Sequence, residues 1–398
     1  MIGTAGLSEE FGVEVGVKQG CVLAPIAFNL YISALTLLAR QKISGNGVEV
    51  RYRLDGDLFD LRRLKSQRKS RMTTICDLQY ADDAAFVSNT SEGIQNTIHV
   101  MVDQYSSAGL RVNNTKTQLL HHVELNSPQD TIHIDNEPIK NVDKFLYLGS
   151  FLSSSCRIDD EIQNRTRQTH ASFGRLSERV YLNRNLELDT KILVYKAICL
   201  STLLYGSETW TLCRPQIRAI ESTHIRFLQR IMGVTWKDRI PHTEILKRTN
   251  CYSIEAMLIR RQFRWVGHVL RMPEHRLPRQ VLCGELSQGK RSRGAPLKRF
   301  KDSLKSNLKA CSIRTDDLQQ MTADRASWRA TCYTAQQTFE RKRNEDREAQ
   351  RRRRHLRSSL PPPTDGVPCP TCEKVCASEF GLRSHSRTHN RQQPHTRR

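Results

Sequence analysis

The chain has 398 residues, 38% of them hydrophobic, and its 63 Lys+Arg against 41 Asp+Glu give a formal net charge of +22. That length suits two or three domains better than one core, and so basic a balance points to a polyanionic partner. The most apolar stretch, residues 192–205, is short and carries Lys196, and residues 1–15 hold acids and no apolar block, so neither a membrane span nor a secretory leader is expected.

Residues 23–40 place Ile26, Leu30, Ala34, Leu37 and Leu38 at helical spacing, with Pro25 suited to the first turn. Residues 41–71 are polar, basic and broken by Gly45, Gly47 and Gly56, which reads as an insertion or long connection. Two strand-like runs, 73–81 and 84–87, flank Asp82-Asp83 in a hairpin pattern. Helical spacing returns over 91–108, and 113–116 form a polar turn.

From about 160 to 270 the pattern is helical throughout. Leu188, Ile192, Tyr195, Ile198 and Cys199 share one face, and Ile217, Ile220, His224, Phe227, Leu228 and Ile231 another. Trp210, Trp236 and Trp265 are expected to anchor this packing. Residues 260–309 hold fourteen Lys/Arg against three Asp/Glu, the electrostatic footprint of a nucleic-acid binder. Within it, residues 290–294 read as a loop that grips phosphates. A charged run over 338–357 ends in four arginines, 351–354, a cluster that also suits nuclear import, and the prolines after Leu360 form a linker.

Nine of the twelve cysteines are scattered singly, as reduced core residues are, and three lie near the C-terminus. Cys369, Cys372, His385 and His389 follow C-x2-C-x12-H-x3-H, the ligand spacing of a zinc finger. Two cysteines on a hairpin knuckle and two histidines one helical turn apart can close a tetrahedron, with Leu382 one turn before His385 on the same face. The aromatic usual four residues after the second cysteine is replaced by Cys376, a less favoured alternative ligand, and Phe380 is expected to fill the space instead. A single finger reads about three base pairs, so its contribution through Arg383 and Arg387 is to affinity more than to sequence choice.

Asp82 and Asp83 at a hairpin tip suit a hard divalent cation such as magnesium, although aspartates are also ordinary turn residues. Their neighbours are more specific. Gly16-Val-Lys-Gln-Gly-Cys-Val-Leu-Ala-Pro25 stands upstream, and Gly109-Leu-Arg-Val-Asn113, Lys116-Thr117 and Phe145-Leu-Tyr-Leu-Gly149 follow. Further on come Ile158-Asp-Asp-Glu-Ile162, Leu203-Leu-Tyr-Gly-Ser-Glu-Thr-Trp210, Trp236-Lys-Asp-Arg-Ile-Pro241 and Arg264-Trp-Val-Gly-His268. In this order and spacing the set resembles the reverse transcriptases of non-LTR (LINE-type) retrotransposons from about residue 12 to about 390.

The resemblance implies an α+β fold. Residues 1–155 would be a partial right-hand polymerase palm, 156–259 a helical thumb and 260–335 a basic helical region. Residues 336–366 would be a charged run and linker, and 367–392 a ββα zinc finger. It implies an RNA-directed DNA polymerase that extends a DNA 3′ end on an RNA template from dNTPs with magnesium, in a nuclear or cytoplasmic ribonucleoprotein. Asp82 and Asp83 would hold the metals, with Lys116 near the incoming phosphates as a charge donor or acid. Gln19, Gly20 and Tyr80 would line the nucleotide and template, and Tyr147 and Gly149 the primer end. Lys290, Arg291, Arg293, Lys298 and Arg299 would grip nucleic acid.

One departure bears on activity. The family carries another catalytic aspartate on a strand ahead of the Gln19-Gly20 segment, and residues 1–18 contain no Asp. The chain is therefore expected to begin inside the palm, with an incomplete metal site and an apolar sheet left partly uncovered. The alternative reading is a non-catalytic remnant that binds nucleic acid through its basic region and finger.

Overall fold

In the computed structural model the described residues are 2–3, 6–7, 20–43, 45–122, 131–289, 294, 296–359, 366–376 and 378–390. They divide into two units, Met1–Thr338 and Phe339–Arg398.

The first unit opens with a mixed region. Helix α1 (Ala24–Lys42) has a proline in its first turn. Strands β1 (Val48–Tyr52) and β2 (Arg71–Ile75) pair antiparallel. Strands β3 (Asp77–Tyr80) and β4 (Asp83–Phe86) form the acid-tipped hairpin, which pairs with no third strand among the described residues. Helix α2 (Ser91–Ser107) starts where the Thr90 side chain accepts the Gly93 amide, an N-cap that satisfies one end donor. A second hairpin joins β5 (Lys144–Tyr147) to β6 (Ser150–Ser153).

Two small cores hold this region. Leu35, Ala39 and Ile43 of α1 pack against Met101 and Tyr105 of α2. Nearer the start of α2, Ile98 meets Ile132, Ile134 and Ile139. The face expected to be buried on α1 is not that one. Ile26, Leu30, Leu37 and Leu38 are 57%, 67%, 63% and 51% exposed. The helix carries two apolar stripes, and α2 covers only the one running through Leu35, Ala39 and Ile43.

Between residues 156 and 270 the regular elements are helices: α3 (Asp159–Leu176), α4 (Leu188–Val194), α5 (Arg214–Met232), α6 (His242–Arg248) and α7 (Ile254–Leu270). Helix α4 runs on through a π-helical stretch, Tyr195–Leu200. The core is one large cluster with Tyr195, Cys199, Ile220, Phe227, Leu228 and Ile254 at its centre. Phe173 stacks on Tyr181 at 4.3 Å and on Phe227 at 4.4 Å. The Tyr195 hydroxyl meets His224 Nδ1 at 2.7 Å, giving this buried polar pair a partner. Full burial of each large apolar side chain stabilises by about 1.5–3 kcal/mol.

Helix α8 (Leu277–Cys283), strand β7 (Gly284–Leu286) and helices α9 (Phe300–Ala310), α10 (Leu318–Ala323) and α11 (Arg325–Ser359) complete this unit and lead into the next. The sheet order β7-β1-β2 corrects the expectation of a long connection over 41–71. Val50 and Tyr52 alternate inward at 4% and 7% exposure, the period-2 pattern of a half-buried strand. Its partner β7 lies more than two hundred residues along the chain. Gly284 allows that approach, since a Cβ there would stand 2.7 Å from Val50 Cγ1 and 2.8 Å from the Arg51 carbonyl.

The tryptophans also depart in part from expectation. Trp210 is buried and Trp265 half-buried, but Trp236 is 81% exposed. The Thr235–Asp238 capping box closes the short turn Trp236–Asp238 around its own backbone, and the ring is left outside the core. The fourth, Trp328 of α11, is 2% exposed and takes the anchoring role.

The second unit holds the rest of α11, a ladder between β8 (Val367–Pro368) and β9 (Val375–Cys376), and helix α12 (Glu379–Asn390). Among the described residues no helix is long and apolar enough to cross a membrane.

Candidate functional site

The β3–β4 hairpin closes on the pair Tyr80 and Asp83, leaving Ala81 and Asp82 in the turn. Ala81 takes φ 52°, a left-handed backbone that a two-residue hairpin demands and an alanine disfavours. Asp82 and Asp83 are both exposed. Neither carboxylate is taken up by a hydrogen bond or ion pair among the described residues. Both are thus free to face a cation, but no third His, Cys, Asp or Glu donor joins them among the described residues.

The base of the hairpin is tied to both helices. Arg40 Nη2 of α1 meets Asp77 Oδ1 at 2.8 Å, and Gln79 Nε2 donates to Thr36 Oγ1 at 3.1 Å. The Tyr105 hydroxyl of α2 donates to Gln79 Oε1 at 3.4 Å. Burial, and then the nearby Asp77 carboxylate, push the Tyr105 phenol up to about 12, so it stays a donor at neutral pH.

The second hairpin meets the first through Tyr147, whose hydroxyl donates to the Leu78 carbonyl at 3.0 Å. Burial and the Asp83 carboxylate raise its phenol above the ordinary range. The turn after Tyr147 uses Leu148 at φ 47° and Gly149 at φ 77°. Three residues of the helical region clamp that turn. Arg165 donates to the Gly149 carbonyl, and the Tyr205 hydroxyl donates to the Leu148 carbonyl at 3.2 Å. Arg165 Nε is paired with Glu161 Oε1 at 2.6 Å, with both side chains buried. Glu161 Oε2 also accepts the Phe151 amide at 2.8 Å. The Arg165 guanidinium lies 4.4 Å from the Tyr205 ring centroid. Sequence reasoning assigned none of these three a role; the i, i+4 spacing of Glu161 and Arg165 is the one local signal.

Asp82, Asp83, Tyr80, Tyr147 and Gly149 thus lie on two adjoining hairpins. Lys116 is exposed in a turn where its amide donates to Asn113, and no hydrogen bond or ion pair links it to the acids. Gly20 is exposed at φ 85°, with open space around a would-be Cβ, so its backbone angle alone favours glycine. Gln19 lies outside the described residues.

In the second unit Cys369, Cys372, His385 and His389 bring one ligand atom each to within 4.8 Å of one another. Cys369 Sγ is 3.5 Å from His389 Nε2, Cys372 Sγ 3.0 Å from His385 Nε2, and the two Nε2 atoms 3.1 Å apart. A tetrahedron with zinc-like bonds of about 2.0–2.3 Å has edges of roughly 3.3–3.8 Å, so the donor set fits such an ion with small adjustments. The backbone amides of Thr371 and Cys372 help lower the Cys369 thiol to about 7, toward the thiolate that a metal needs. Cys376 is buried at the ladder and stands outside the four-ligand cluster. Phe380 does not fill the expected space: it is 83% exposed, one residue into α12 on the side away from the ligands. Leu382 is half-buried, and Arg383 and Arg387 are exposed.

Of the expected phosphate-gripping residues, Lys290, Arg291 and Arg293 lie outside the described residues. Lys298 is exposed. Arg299 is half-buried and ion-paired with Glu285 at 3.2 Å and Asp302 at 3.5 Å.

Residues 3–152 match the family model for reverse transcriptase (RNA-dependent DNA polymerase). A Caenorhabditis elegans protein described as transposon-derived is 25% identical over 245 residues, 59% of this chain and 85% of that protein. The "Probable RNA-directed DNA polymerase from transposon X-element" of Drosophila melanogaster is 20% identical over 239 residues, 58% of this chain and 23% of that protein.

Proposed function

We infer, from a chain that carries a reverse transcriptase region of the non-LTR retrotransposon type, that its substrates are an RNA template, a DNA primer end and dNTPs, and that the β3–β4 hairpin is its catalytic edge. Residues 1–155 act as palm, 156–259 as a thumb, 260–335 as a basic nucleic-acid region and 367–392 as a zinc finger, in a nuclear or cytoplasmic ribonucleoprotein. The observation that carries the reading is the free acid pair Asp82 and Asp83 beside Tyr147 within the matched region.

Magnesium held by the two carboxylates would stabilise charge on the attacking and leaving oxygens of nucleotidyl transfer. The residues present fit that ion only in part, because two exposed acids without a third donor make a weak site for a hard cation. Tyr147 holds the two hairpins in register, and the clamped Leu148–Gly149 turn gives the primer end a fixed backbone to rest on. Gln19, Gly20 and Tyr80 are the nucleotide and template contacts in this reading, and Lys116 supplies charge to the leaving phosphates.

The 398-residue chain alone is therefore expected to extend a primer on RNA poorly or not at all with magnesium. The measurement is primer extension beside an Asp82→Ala control. Robust extension abolished by that substitution would show that another acid completes the site.

The second reading, a nucleic-acid-binding remnant, is favoured by the convergent Cys/His cluster. Zinc there organises residues 367–392, and Arg383 and Arg387 meet phosphates. Zinc measured by mass spectrometry at one ion per chain, lost on Cys372→Ser, is the expected result. Equal zinc in both proteins would mean that the Cys/His cluster does not hold the ion.

A further inference from the structure

A cleft of about 570 Å³ opens between α7 and the start of α11, within the first unit. Arg261, Arg264 and Arg271 line it from one side, and Arg325 and Arg329 from the other. Its one acid among the described residues, Glu208, is occupied by Arg261 at 2.9 Å. Arg271 donates to the Thr322 carbonyl, so its charge is held in place but not neutralised. Arg264, Arg325 and Arg329 are exposed and have no hydrogen bond or ion pair among the described residues. Five guanidinium groups against one carboxylate, three of them unengaged, leave an excess of positive charge in a concave site, where field lines concentrate.

The sequence builds this site with helical spacing. Arg261, Arg264, Trp265 and His268 follow i, i+3, i+4, i+7 on α7, and Arg325 and Arg329 are one turn apart on α11. Gly267 sets the distance between the two walls. A Cβ there would stand 2.1 Å from Trp328 Nε1, so only glycine lets the buried Trp328 ring lie on α7. The Trp328 indole then donates to the Phe263 carbonyl at 2.9 Å, locking α11 to α7. Each residue of the Trp-Val-Gly-His segment thus has a place: Trp265 and His268 in the cleft wall, Val266 in the core and Gly267 under Trp328.

We propose that this cleft binds the phosphate backbone of a single-stranded nucleic acid, with Trp265 as a stacking surface for a base. The proposal rests on the reading of the chain as a nucleic-acid enzyme or remnant, and moves its basic contact from the basic residues of 290–299 to the α7–α11 walls. From Arg261 to Arg271 the wall runs about 15 Å along the helix, longer than one phosphate needs. Yet the volume is that of a small-molecule site, which takes in part of one strand and is too small to enclose a duplex. Arginines around a half-buried indole are the pairing of charge and stacking that single strands use.

The test is fluorescence anisotropy with the full chain, a labelled 15-nucleotide single-stranded RNA and a salt titration, with duplex DNA and a mononucleotide triphosphate as competitors. Arg264→Gln/Arg325→Gln/Arg329→Gln is expected to weaken RNA binding at least 10-fold and to lower the salt slope by about two, at about 0.7 per lost phosphate contact. These arginines are exposed and unpaired, so the variant is expected to keep the wild-type far-ultraviolet circular dichroism. Trp265→Ala is expected to weaken binding about 5-fold or more with the slope unchanged. Lys69→Gln, at an exposed lysine far along the chain from the cleft residues, serves as the control and loses about 2-fold or less. With unaltered protein, 4-thiouridine cross-links are expected on peptides from 261–271 and 325–329. Wild-type binding that is untouched in the triple variant, cross-links confined to other peptides, or equal displacement by duplex or mononucleotide would each overturn the cleft assignment while leaving the proposed function standing. Absence of any RNA binding by the wild type would sink both.

Discussion

Helices α1 and α5 are both nineteen residues long and both read as amphipathic, yet they stand in opposite situations. On α5, Ile220, Phe227, Leu228 and Ile231 are at most 4% exposed, packed into a core fed by α3, α4, α6 and α7. On α1, Ile26, Leu30 and Leu37 are more than half exposed. Apolar spacing declares that a face exists; whether anything covers it depends on which other elements the chain brings there. In the helical region α3, α4, α6 and α7 all pack against α5. In the mixed region α2 and the base of the acid-tipped hairpin reach only one stripe of α1, and the hairpin, with Leu78 and Tyr80 also exposed, is likewise left half-covered.

That contrast can be broken or sharpened by substitution. The largest effect is expected from Phe227→Ala, which removes a ring stacked on Phe173 and near Tyr195; the loss should be about 3–5 kcal/mol in denaturant unfolding. A loss under about 1 kcal/mol would mean that the helical core is not tightly packed. Next comes Arg165→Met, which leaves Glu161 buried without its partner and should cost about 3 kcal/mol. Adding Glu161→Gln should recover much of it, and a double variant no better than the single would deny that the unpaired charge is the cause. Gly267→Ala should cost about 1–3 kcal/mol, since the new methyl group must displace Trp328. Thermal unfolding unchanged by that methyl group would contradict the close α7–α11 contact. Smallest of all, Leu30→Lys on the open stripe of α1 should change stability by no more than about 0.5 kcal/mol. A loss near that of Phe227→Ala would mean that α1 is covered in solution.

Some of the site was legible in the chain and some was not, for identifiable reasons. The hairpin bearing Asp82 and Asp83 was readable because both its strands and its two-residue turn are local. The cluster of Cys369, Cys372, His385 and His389 was readable because such spacing is a local constraint on a knuckle and one helix. The clamp of Glu161, Arg165 and Tyr205 on the Leu148–Gly149 turn was not, since it is made by side chains reaching across from other elements. Phe380 and Trp236 show the converse error: an aromatic residue was given a packing role on its chemistry, and the local backbone turned it outward.

By itself, then, the sequence determined the local elements and their chemistry: helical stripes, the acid-tipped turn, the Cys/His spacing and the excess of positive charge. These follow from period, turn residues and composition, which act over a few residues. Tertiary structure alone decided that β7 joins β1 across more than two hundred residues, that one stripe of α1 stays open, and that α7 and α11 make a cleft of arginines. Those outcomes rest on which distant surfaces meet, and the free energy of that meeting comes from burial and close packing rather than from any local pattern.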